Sequence, residues 1–401
     1  MPNSSESKII KTKSKNKKGI NKDDIFVTGS IDIPFLAITI ALLTIGLVML
    51  FSASYPYAYY YENHDSYYFF TRQLIFAVVG IIAMFVMSKI NYRWLRVATV
   101  PLLAVTLLLL VIVLFYHTNL GGADGSDFKR WIPLPGGFTF QPSDLAKFTI
   151  ILTFASYISD YYGKMRKFKY GICYPLGIIV VFCGLIYLEH HMSCTILMFL
   201  IGATLMFVGG SDWKLFAFGV GVLVLIIFVV ITFPDLLENY AGDRIKAWLD
   251  KDFSPDDKRW QTNNSLYAIG SGGLFGVGLG NSKQKYLYVS EPQNDFIFSI
   301  VCEELGFIGA AIIIALFAAL VIRGFIIAGR CHDKFGALIV IGIVSQVGIQ
   351  VGLNIMVVTD TIPNTGISLP FFSYGGTAIM MLLFEIGVVL AISRKSSQKK
   401  V

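Results

Sequence analysis

Residues 270–306 read GSGGLFGVGLGNSKQKYLYVSEPQNDFIFSIVCEELG, and in this stretch the composition changes abruptly from glycine-rich and polar to apolar. A glycine-rich run passes through a polar linker to Asp295, where an apolar helix is predicted to begin. Glu303 and Glu304 follow inside that predicted helix. Carboxylates in or beside a membrane-depth segment are costly to keep, so they usually face a polar cavity or a partner. The stretch therefore predicts a spanning helix, and the start of that helix is the leading place to look for chemistry.

The composition of the whole chain identifies its class. Of its 401 residues, 55% are hydrophobic and only 15% are charged, and the mean hydropathy is +0.65. A soluble globular domain carries about 25% charged residues. We therefore predict an all-α, polytopic membrane protein with about ten transmembrane helices. The apolar windows fall near residues 33–53, 69–88, 97–116, 143–162, 172–188, 193–209, 214–233, 296–322, 335–358 and 374–393.

Basic residues predict the orientation of these helices. Residues 1–32 form a tail rich in Lys, Ser and Asn, which is typical of a disordered segment in contact with anionic membrane lipids rather than with nucleic acid. The apolar run that follows is longer than the core of a signal peptide, so we interpret it as a retained first span. Basic loops alternate with poorly charged ones, and residues 394–401 form a second basic tail. The positive-inside rule therefore places both termini in the cytoplasm, on either side of a membrane domain at 33–393.

The opposite face is predicted to carry long polar loops. The largest is the extracytoplasmic loop 234–294 between spans 7 and 8, and others lie near 117–142 and 359–373. Basic residues on the outer side are not expected from the positive-inside rule, so they call for a functional explanation. Together they could hold a phosphate-bearing ligand outside the membrane, although each alone is more simply a solvated or headgroup contact. The candidates are Arg72, Lys129, Arg130 and Arg244.

Asp295 has two compatible interpretations. An Asp at the start of a helix is a common N-cap, because it accepts hydrogen bonds from free backbone N–H groups. An ionised carboxylate at the outer membrane surface could also act as a general base, or as a ligand of a divalent cation such as Mg²⁺ or Mn²⁺. The spacing alone leaves capping and catalysis open equally.

Three charged residues are predicted at membrane depth. Glu303 and Glu304 lie roughly 12 Å beyond Asp295 along the helix, and their side chains should diverge by about 100°. We therefore expect that they do not share one small site and that at least one pairs with a base. Lys147, one turn into the fourth predicted span, is the obvious basic candidate, but its default interpretation is snorkelling to the interface, and it could also bind an anionic headgroup.

Four segments, in order, carry a resemblance to a known family. They are RWIPLPGGFTFQPSDLAKF (130–148), NNSLYAIGSGGLFGVGLGNSKQKY (263–286), EPQNDFIFSIVCEELG (291–306) and NTGISLPFFSYGGT (364–377). Together they resemble the SEDS proteins (shape, elongation, division, sporulation), and the likeness runs from about Ile33 to Ser393. The form GLGNSKQKY is similar to the FtsW and SpoVE branch of that family.

The resemblance implies a peptidoglycan glycosyltransferase that polymerises lipid II on the outer face of the bacterial cytoplasmic membrane, in cell division or sporulation, with the division septum as the expected location. It implies partners as well: a class B penicillin-binding transpeptidase and other membrane proteins of the division machinery. Asp295 falls on the family's essential aspartate and Lys147 on its conserved-motif lysine. The other positions that match the family's outer motifs, and that we expect to contact substrate, are Glu291, Glu304, Ser373 and Tyr374.

One segment departs from the family pattern, and two other functions stay open. Residues 189–195 read EHHMSCT where the family commonly has a segment like EPDLGT, so no role of that Asp transfers. A lipid II flippase or another polyprenyl-lipid transporter would suit about ten helices and intramembrane acids equally well. Such a carrier should place its polar groups near the bilayer midplane. A non-catalytic scaffold for division proteins would explain the basic tails, but not an acid at a helix mouth.

Overall fold

A computed structural model describes residues 26–27, 29–115, 130–134, 138–214, 216–217, 219, 221, 232, 245–246, 248–249 and 259–397. Within these residues the chain is mostly helical. Ten α-helices are named here in chain order: α1 Ile33–Tyr61, α2 Tyr68–Met87, α3 Trp94–Val113, α4 Pro142–Tyr161, α5 Tyr174–Leu188, α6 Met192–Val208, α7 Trp260–Gly272, α8 Ile297–Arg330, α9 Lys334–Val358 and α10 Gly376–Ser397. A five-residue π-helical segment, Lys169–Cys173, leads into α5.

Seven of the described helices are long and apolar enough to cross a membrane: α1, α2, α3, α5 with its π-helical lead, α8, α9 and α10. The chain is thus a multi-pass membrane protein, while the predicted count of ten spans is not confirmed. The fourth predicted window is present as α4, which contains Asp144, Lys147 and Asp160. The sixth is α6, which has only 17 residues. Most of the seventh, 214–233, lies outside the described residues.

The structure also departs from an all-α fold. Strands β1 (Ile132–Leu134) and β2 (Phe138–Phe140) pair antiparallel, with Ile132 opposite Phe140, just before α4 begins. Pro142 occupies the first turn of α4, where its missing N–H costs no hydrogen bond. In the described part of the predicted 234–294 loop, α7 packs against α8. The last helix, α10, continues to Ser397, so Arg394 and Lys395 belong to its final turn rather than to a separate tail.

Helices α9 and α10 form the centre of the bundle. In their most apolar windows, 67% and 72% of the residues are buried, against 39% or less for the other five spans. Helix α10 packs along α2, and α8 packs against both α9 and α1. Polar side chains of α9 and α10 are therefore enclosed by protein, where they must find partners.

Several basic segments meet at one end of this bundle, which we call the basic end. Asp32 caps α1 through the Phe35 N–H at 3.1 Å and forms a bidentate ion pair with Arg323 at 2.9 Å. Arg394 donates to the carbonyl of Gly29 at 2.9 Å. The residues before α1, the last turns of α8 and the end of α10 therefore lie together, as the charge pattern predicts.

Candidate active site at the start of helix α8

Asp295 lies at the end of the bundle opposite the basic end, directly before α8. It is half-buried, and its backbone carbonyl accepts a hydrogen bond from Asn354 Nδ2 of α9 at 2.8 Å. The same amide donates to the carbonyl of Ile367 at 2.6 Å. The N-cap position of α8 belongs to Phe296, one residue later than the capping hypothesis expects. Helix α9 and the loop before α10 thus set the position of Asp295.

Ser373 and Tyr374 clamp the segment that leads to Asp295. The Ser373 hydroxyl donates to the carbonyl of Asn294 at 2.8 Å and accepts from the Leu369 N–H at 2.7 Å. The Tyr374 N–H donates to the carbonyl of Gln293 at 2.8 Å. The structure therefore brings both predicted residues next to Asp295 along the backbone, where the Ser373 hydroxyl ties two loops together.

Arg72 joins this group from the first turns of α2. Its guanidinium lies 4.2 Å from the centre of the Tyr68 ring and is hydrogen-bonded to Tyr374. Burial is the main reason why the pKa of the Tyr374 hydroxyl is raised, and the nearby Arg72 opposes that rise. The edge of Phe69 packs on Tyr374, with ring centres 4.9 Å apart. A cation and a phenol are thus fixed together beside the loop that holds Asp295.

Lys147 points into a buried polar cavity rather than toward Glu303 or Glu304. Its Nζ lies 2.8 Å from Asp144 Oδ1, one turn earlier in α4, and Asp144 Oδ2 accepts from Thr377 of α10 at 3.1 Å. The cavity is about 40 Å³ and is lined by Lys147, Asp144, Ser373, Tyr374 and Glu385, among others. The space is large enough for at least one ordered water molecule.

Sequence reasoning missed the polar stripe that runs along α9. Gln346 donates to Glu385 at 3.0 Å, and Gln350 donates to the carbonyl of Ser368 at 2.9 Å. Asn354 continues the stripe to the Asp295 carbonyl. The signal was available, because amides four residues apart share one face of a helix and are unusual inside an apolar span. Glu385 could also have been singled out from the sequence, because it is an acidic residue inside an apolar span, as Glu303 and Glu304 are.

Glu304 is held in a buried network with a lysine that the sequence analysis did not pair with it. Lys285 Nζ lies 2.9 Å from Glu304 Oε1, and the side chains are only 4% and 0% exposed. Ser52 of α1 donates to both Glu304 oxygens, at 2.8 and 2.7 Å. Lys285 also donates to Ser52 Oγ at 3.2 Å and to the Gly280 carbonyl at 2.7 Å. The predicted pairing with a base is found, but the base is Lys285 and not Lys147.

Glu303 binds the same loop as Glu304, which contradicts the expectation that the two cannot share a site. Glu303 accepts from the Lys283 N–H at 2.9 Å and from the Ser282 hydroxyl. The divergence of adjacent helical side chains is overcome because the 280–285 loop wraps around the helix and meets both. Glu304 therefore acts within the described residues as an anchor for the polypeptide that leads to Asp295.

The remaining predicted residues lie around the rim or outside the described residues. Glu291 is exposed and accepts from the Asn294 amide at 2.8 Å. Arg130 donates to the carbonyl of His190. Lys129 and Arg244 lie outside the described residues, so the structure does not place them.

The divergent segment 189–195 packs beside the start of α4. His191 Nδ1 lies 3.3 Å from the Gln141 amide, and burial lowers the pKa of its ring well below the usual range. Glu189 is fully buried, and neither of its carboxylate oxygens has a hydrogen-bond partner among the residues that the structure describes. Burial raises the pKa of Glu189 to about 8, and the charge of Arg130 opposes that rise. This segment therefore contains an acid whose charge is costly near neutral pH.

The described residues offer no complete metal cage. Within them, no group of three or more His, Cys, Asp and Glu side chains is arranged to hold an ion. Mg²⁺ is usually bound by one or two carboxylates together with substrate phosphates and waters, a requirement that a lone Asp295 carboxylate meets. The donor set thus fits an ion shared with a phosphate-bearing substrate, and not a resident ion held by protein groups alone.

Comparison with solved structures identifies the fold. A chain of a solved peptidoglycan synthase complex superposes with a TM-score of 0.74 at 24% identity, covering 92% of this chain and 99% of that one. The crystal structure of the rod shape determining protein RodA of Thermus thermophilus gives a TM-score of 0.65, also at 24% identity, covering 91% of this chain and 97% of that one. The helical arrangement described above is therefore the one found in these proteins.

Sequence comparison extends the likeness to curated relatives. Stage V sporulation protein E of Bacillus subtilis is 40% identical over 365 residues, which cover 91% of this chain and 97% of that protein. The probable peptidoglycan glycosyltransferase FtsW of Trichlorobacter lovleyi is 37% identical over 366 residues, covering 90% of this chain and 93% of that protein. The family model FTSW_RODA_SPOVE, described as cell cycle protein, matches residues 34–398. Because this match spans nearly the whole chain, the protein belongs to the FtsW, RodA and SpoVE family of cell cycle proteins.

Proposed function

We propose that this protein is a peptidoglycan glycosyltransferase that joins lipid II units into glycan strands by β-1,4 bonds and releases undecaprenyl pyrophosphate. Relatives named as probable peptidoglycan glycosyltransferases, matched over about nine-tenths of the chain, support the activity. The observation that carries it to a site is the half-buried Asp295, whose backbone is held by Asn354 at the start of a spanning helix. A carboxylate in that setting is both positioned and accessible to a membrane-borne substrate.

In the proposed reaction, Asp295 is the general base. A sugar hydroxyl is a weak nucleophile, and a positioned carboxylate can take its proton as the hydroxyl attacks the anomeric carbon of the donor. The carbon–oxygen bond to the pyrophosphate then breaks, and the lipid pyrophosphate leaves with the bonding electrons. The hydrogen bonds from Asn354 and Ser373 to the 294–295 backbone would keep the base in register with the acceptor.

Negative charge that develops on the leaving pyrophosphate needs cations nearby. Arg72 is our main candidate among the described residues, because it stands beside Tyr374 at the rim, and a guanidinium can bind a phosphate through two parallel N–H groups. Lys129, Arg130 and Arg244 are proposed to extend this positive rim. Lys147 is a weaker candidate for direct contact, since Asp144 already offsets its charge; we propose that it positions the 373–374 loop through the cavity.

We also propose that a divalent cation binds together with the substrate pyrophosphate. Asp295 is the carboxylate that would hold Mg²⁺ or Mn²⁺ together with the pyrophosphate, with Glu291 nearby in sequence. Such an ion neutralises the charge of the leaving group when it is bound. The proton transfer to Asp295 and the cleavage of the bond to the pyrophosphate do not depend on this ion.

The membrane arrangement belongs to the same proposal. We propose that both termini and the basic end face the cytoplasm, and that Asp295 and the 234–294 loop face outward. The gathering of Arg323, Arg394 and the chain before α1 at one end supports this orientation. We further propose a class B penicillin-binding transpeptidase as the partner and the division septum as the site of action; the structural likeness to a chain of a peptidoglycan synthase complex supports a partner of that kind.

A lipid carrier is less well supported within the described residues. Gln346 and Glu385 do lie well inside their helices, as a carrier requires. The cavity that they line is only about 40 Å³, however, which is far too small for a disaccharide headgroup. The described residues thus offer a packed polar core rather than a passage.

The decisive experiment is a lipid II polymerisation assay with the purified protein and its transpeptidase partner. We expect Asp295→Asn to lower the initial rate of glycan synthesis by at least 100-fold, the usual scale for losing a general base. Asp65→Asn is the matched control, because it removes an exposed acid from the α1–α2 loop at the same end of the bundle. A folded, abundant Asp295→Asn protein with the wild-type rate would rule out the proposed role.

A further inference from the structure

A second cavity, of about 210 Å³, opens at the basic end of the bundle, one full length of α8 away from Asp295. Three elements form its wall: the α2–α3 loop, the α8–α9 loop and the last turn of α10. Its lining residues are Tyr92, Arg93, Cys331, His332, Asp333, Lys395 and Ser396. This volume exceeds what a single water molecule needs, so the cavity can hold a larger polar group.

The charges around this cavity favour an anion. Arg93 and Lys395 contribute two positive charges to the lining. Among the described residues of the lining, Asp333 is the one acid, and its Oδ2 already accepts a hydrogen bond from the Tyr92 hydroxyl at 3.1 Å. Tyr92 is 2% exposed and burial raises its pKa, so the phenol keeps its proton and remains a donor to Asp333. Arg93 is exposed and has no ion pair within the described part of the chain.

The surroundings of the cavity point to a ligand with apolar tails. Trp94, next to Arg93, is 42% exposed, and Val97 and Val100 on the following turns of α3 are 71% and 72% exposed. A tryptophan followed by outward-facing valines is typical of the boundary between headgroups and hydrocarbon. An anion bound at Arg93 would therefore sit at headgroup level, beside a surface suited to acyl chains.

We propose that this cavity binds the phosphate group of a membrane lipid headgroup through Arg93 and Lys395. A guanidinium is well suited to phosphate because its N–H groups match two phosphate oxygens, and basic pockets between spanning helices are known to take anionic headgroups. The bound lipid holds the α8–α9 loop against the end of α10. Since α8 starts after Asp295 and α10 starts after Tyr374, the lipid stabilises the two helices that carry the candidate active site.

The test measures lipid-dependent stabilisation of the purified full chain in a neutral detergent. Phosphatidylglycerol, phosphatidylcholine and inorganic phosphate are each titrated while the thermal unfolding midpoint is followed. We expect phosphatidylglycerol to raise the midpoint saturably in the wild type. In the Arg93→Gln/Lys395→Gln variant, half-saturation should need at least tenfold more lipid. The single variant Arg93→Gln, at an exposed position, should show a smaller shift in the same direction and guards against misfolding of the double variant.

Arg166→Gln/Lys167→Gln is the matched control, because it removes two exposed charges from the α4–α5 connection, outside the cavity lining. Its half-saturation should stay within twofold of the wild type. Equal lipid responses in the cavity variant and the control would overturn the proposal. If inorganic phosphate alone saturates the effect and phosphatidylglycerol adds nothing, the phosphate site is supported and the lipid as its source is overturned.

Discussion

Removing the ammonium group of Lys285 is the sharpest test of how the loop before Asp295 is held. In the Lys285→Met variant, a side chain of similar length replaces the lysine and leaves the Glu304 carboxylate buried. The Lys285 ammonium now donates to Glu304 Oε1 at 2.9 Å, to the Gly280 carbonyl at 2.7 Å and to Ser52 Oγ at 3.2 Å. All three contacts are lost together.

The size of the loss follows from what stays buried. Breaking a buried ion pair by removing one partner costs about 3–5 kcal/mol, because the remaining charge is uncompensated. Ser52 still donates to both oxygens of Glu304, which places the expected loss near the lower end of that range. Truncating the charge of the exposed Lys283, two residues earlier, should change the free energy of unfolding by no more than about 0.5 kcal/mol.

A double-mutant cycle measures the pair itself. The free energy of unfolding is determined in mixed detergent micelles for the wild type, Lys285→Met, Glu304→Gln and the double variant, with Lys283→Met as the control. Because the two side chains are in direct contact, we expect the double variant to lose less free energy of unfolding than the two single variants lose in sum. The difference, which is the coupling energy, should be about 2 kcal/mol or more.

Additive losses, within about 0.5 kcal/mol, would refute the reasoning. They would mean that Glu304 and Lys285 each act through other neighbours. A loss in Lys283→Met as large as that in Lys285→Met would refute it too, since the effect would then belong to the loop and not to the buried pair.

Two further predictions concern the backbone of α8 and the divergent segment. Gly306, with φ of 68° and ψ of −172°, kinks α8, and an added Cβ would lie 2.3 Å from the Gly276 N. Gly306→Ala should therefore destabilise the protein by roughly 3 kcal/mol or more in the same unfolding assay, whereas Gly329→Ala, with open space around it in the same helix, should be neutral or stabilising. Glu189 binds its proton more tightly in the folded protein, where its pKa is about 8, than in the unfolded chain, where it is near 4.5. The contribution of Glu189 to stability should thus be lost as pH rises from about 5 to 8, by an amount on the order of a few kcal/mol. Because buried His191 contributes in the opposite sense over part of that range, the test is the difference between the wild type and Glu189→Gln, and equal slopes in the two would contradict the assignment.

The sequence predicted those structural elements that depend mainly on interactions between neighbouring residues. Apolar windows predicted helices at nearly the observed places, because a backbone in lipid must satisfy its own hydrogen bonds. Pro142 lies in the first turn of α4 and Asp32 caps α1, and both features depend only on a few neighbouring residues. The hairpin before α4 escaped notice because its three-residue strands are too short to show an alternating pattern.

Partners were harder to predict than elements. Lys147 was a candidate partner for Glu303 or Glu304, with snorkelling as the default interpretation, but it pairs with Asp144 one turn away, and Lys285 pairs with Glu304. Nothing in the spacing of residues reports which loop wraps around which helix. The structural role of the α9 side-chain amides also depends on the groups that face them. Asn354, for example, donates to the backbone carbonyls of Asp295 and Ile367.

By itself, the chain of residues determined the membrane environment, the helical class and the family motifs, and it singled out Asp295 as the proposed base, since hydrophobicity and helix initiation are properties of short stretches. Only the tertiary structure decided that Arg72 meets Tyr374, that Glu303 and Glu304 hold one loop, and that Asn354 supports Asp295 through its backbone carbonyl. The most distant of these pairs, Arg72 and Tyr374, lies about 300 positions apart in the chain. Such pairings depend on how whole helices pack, because a buried polar group takes whichever partner the packed bundle brings within hydrogen-bond distance.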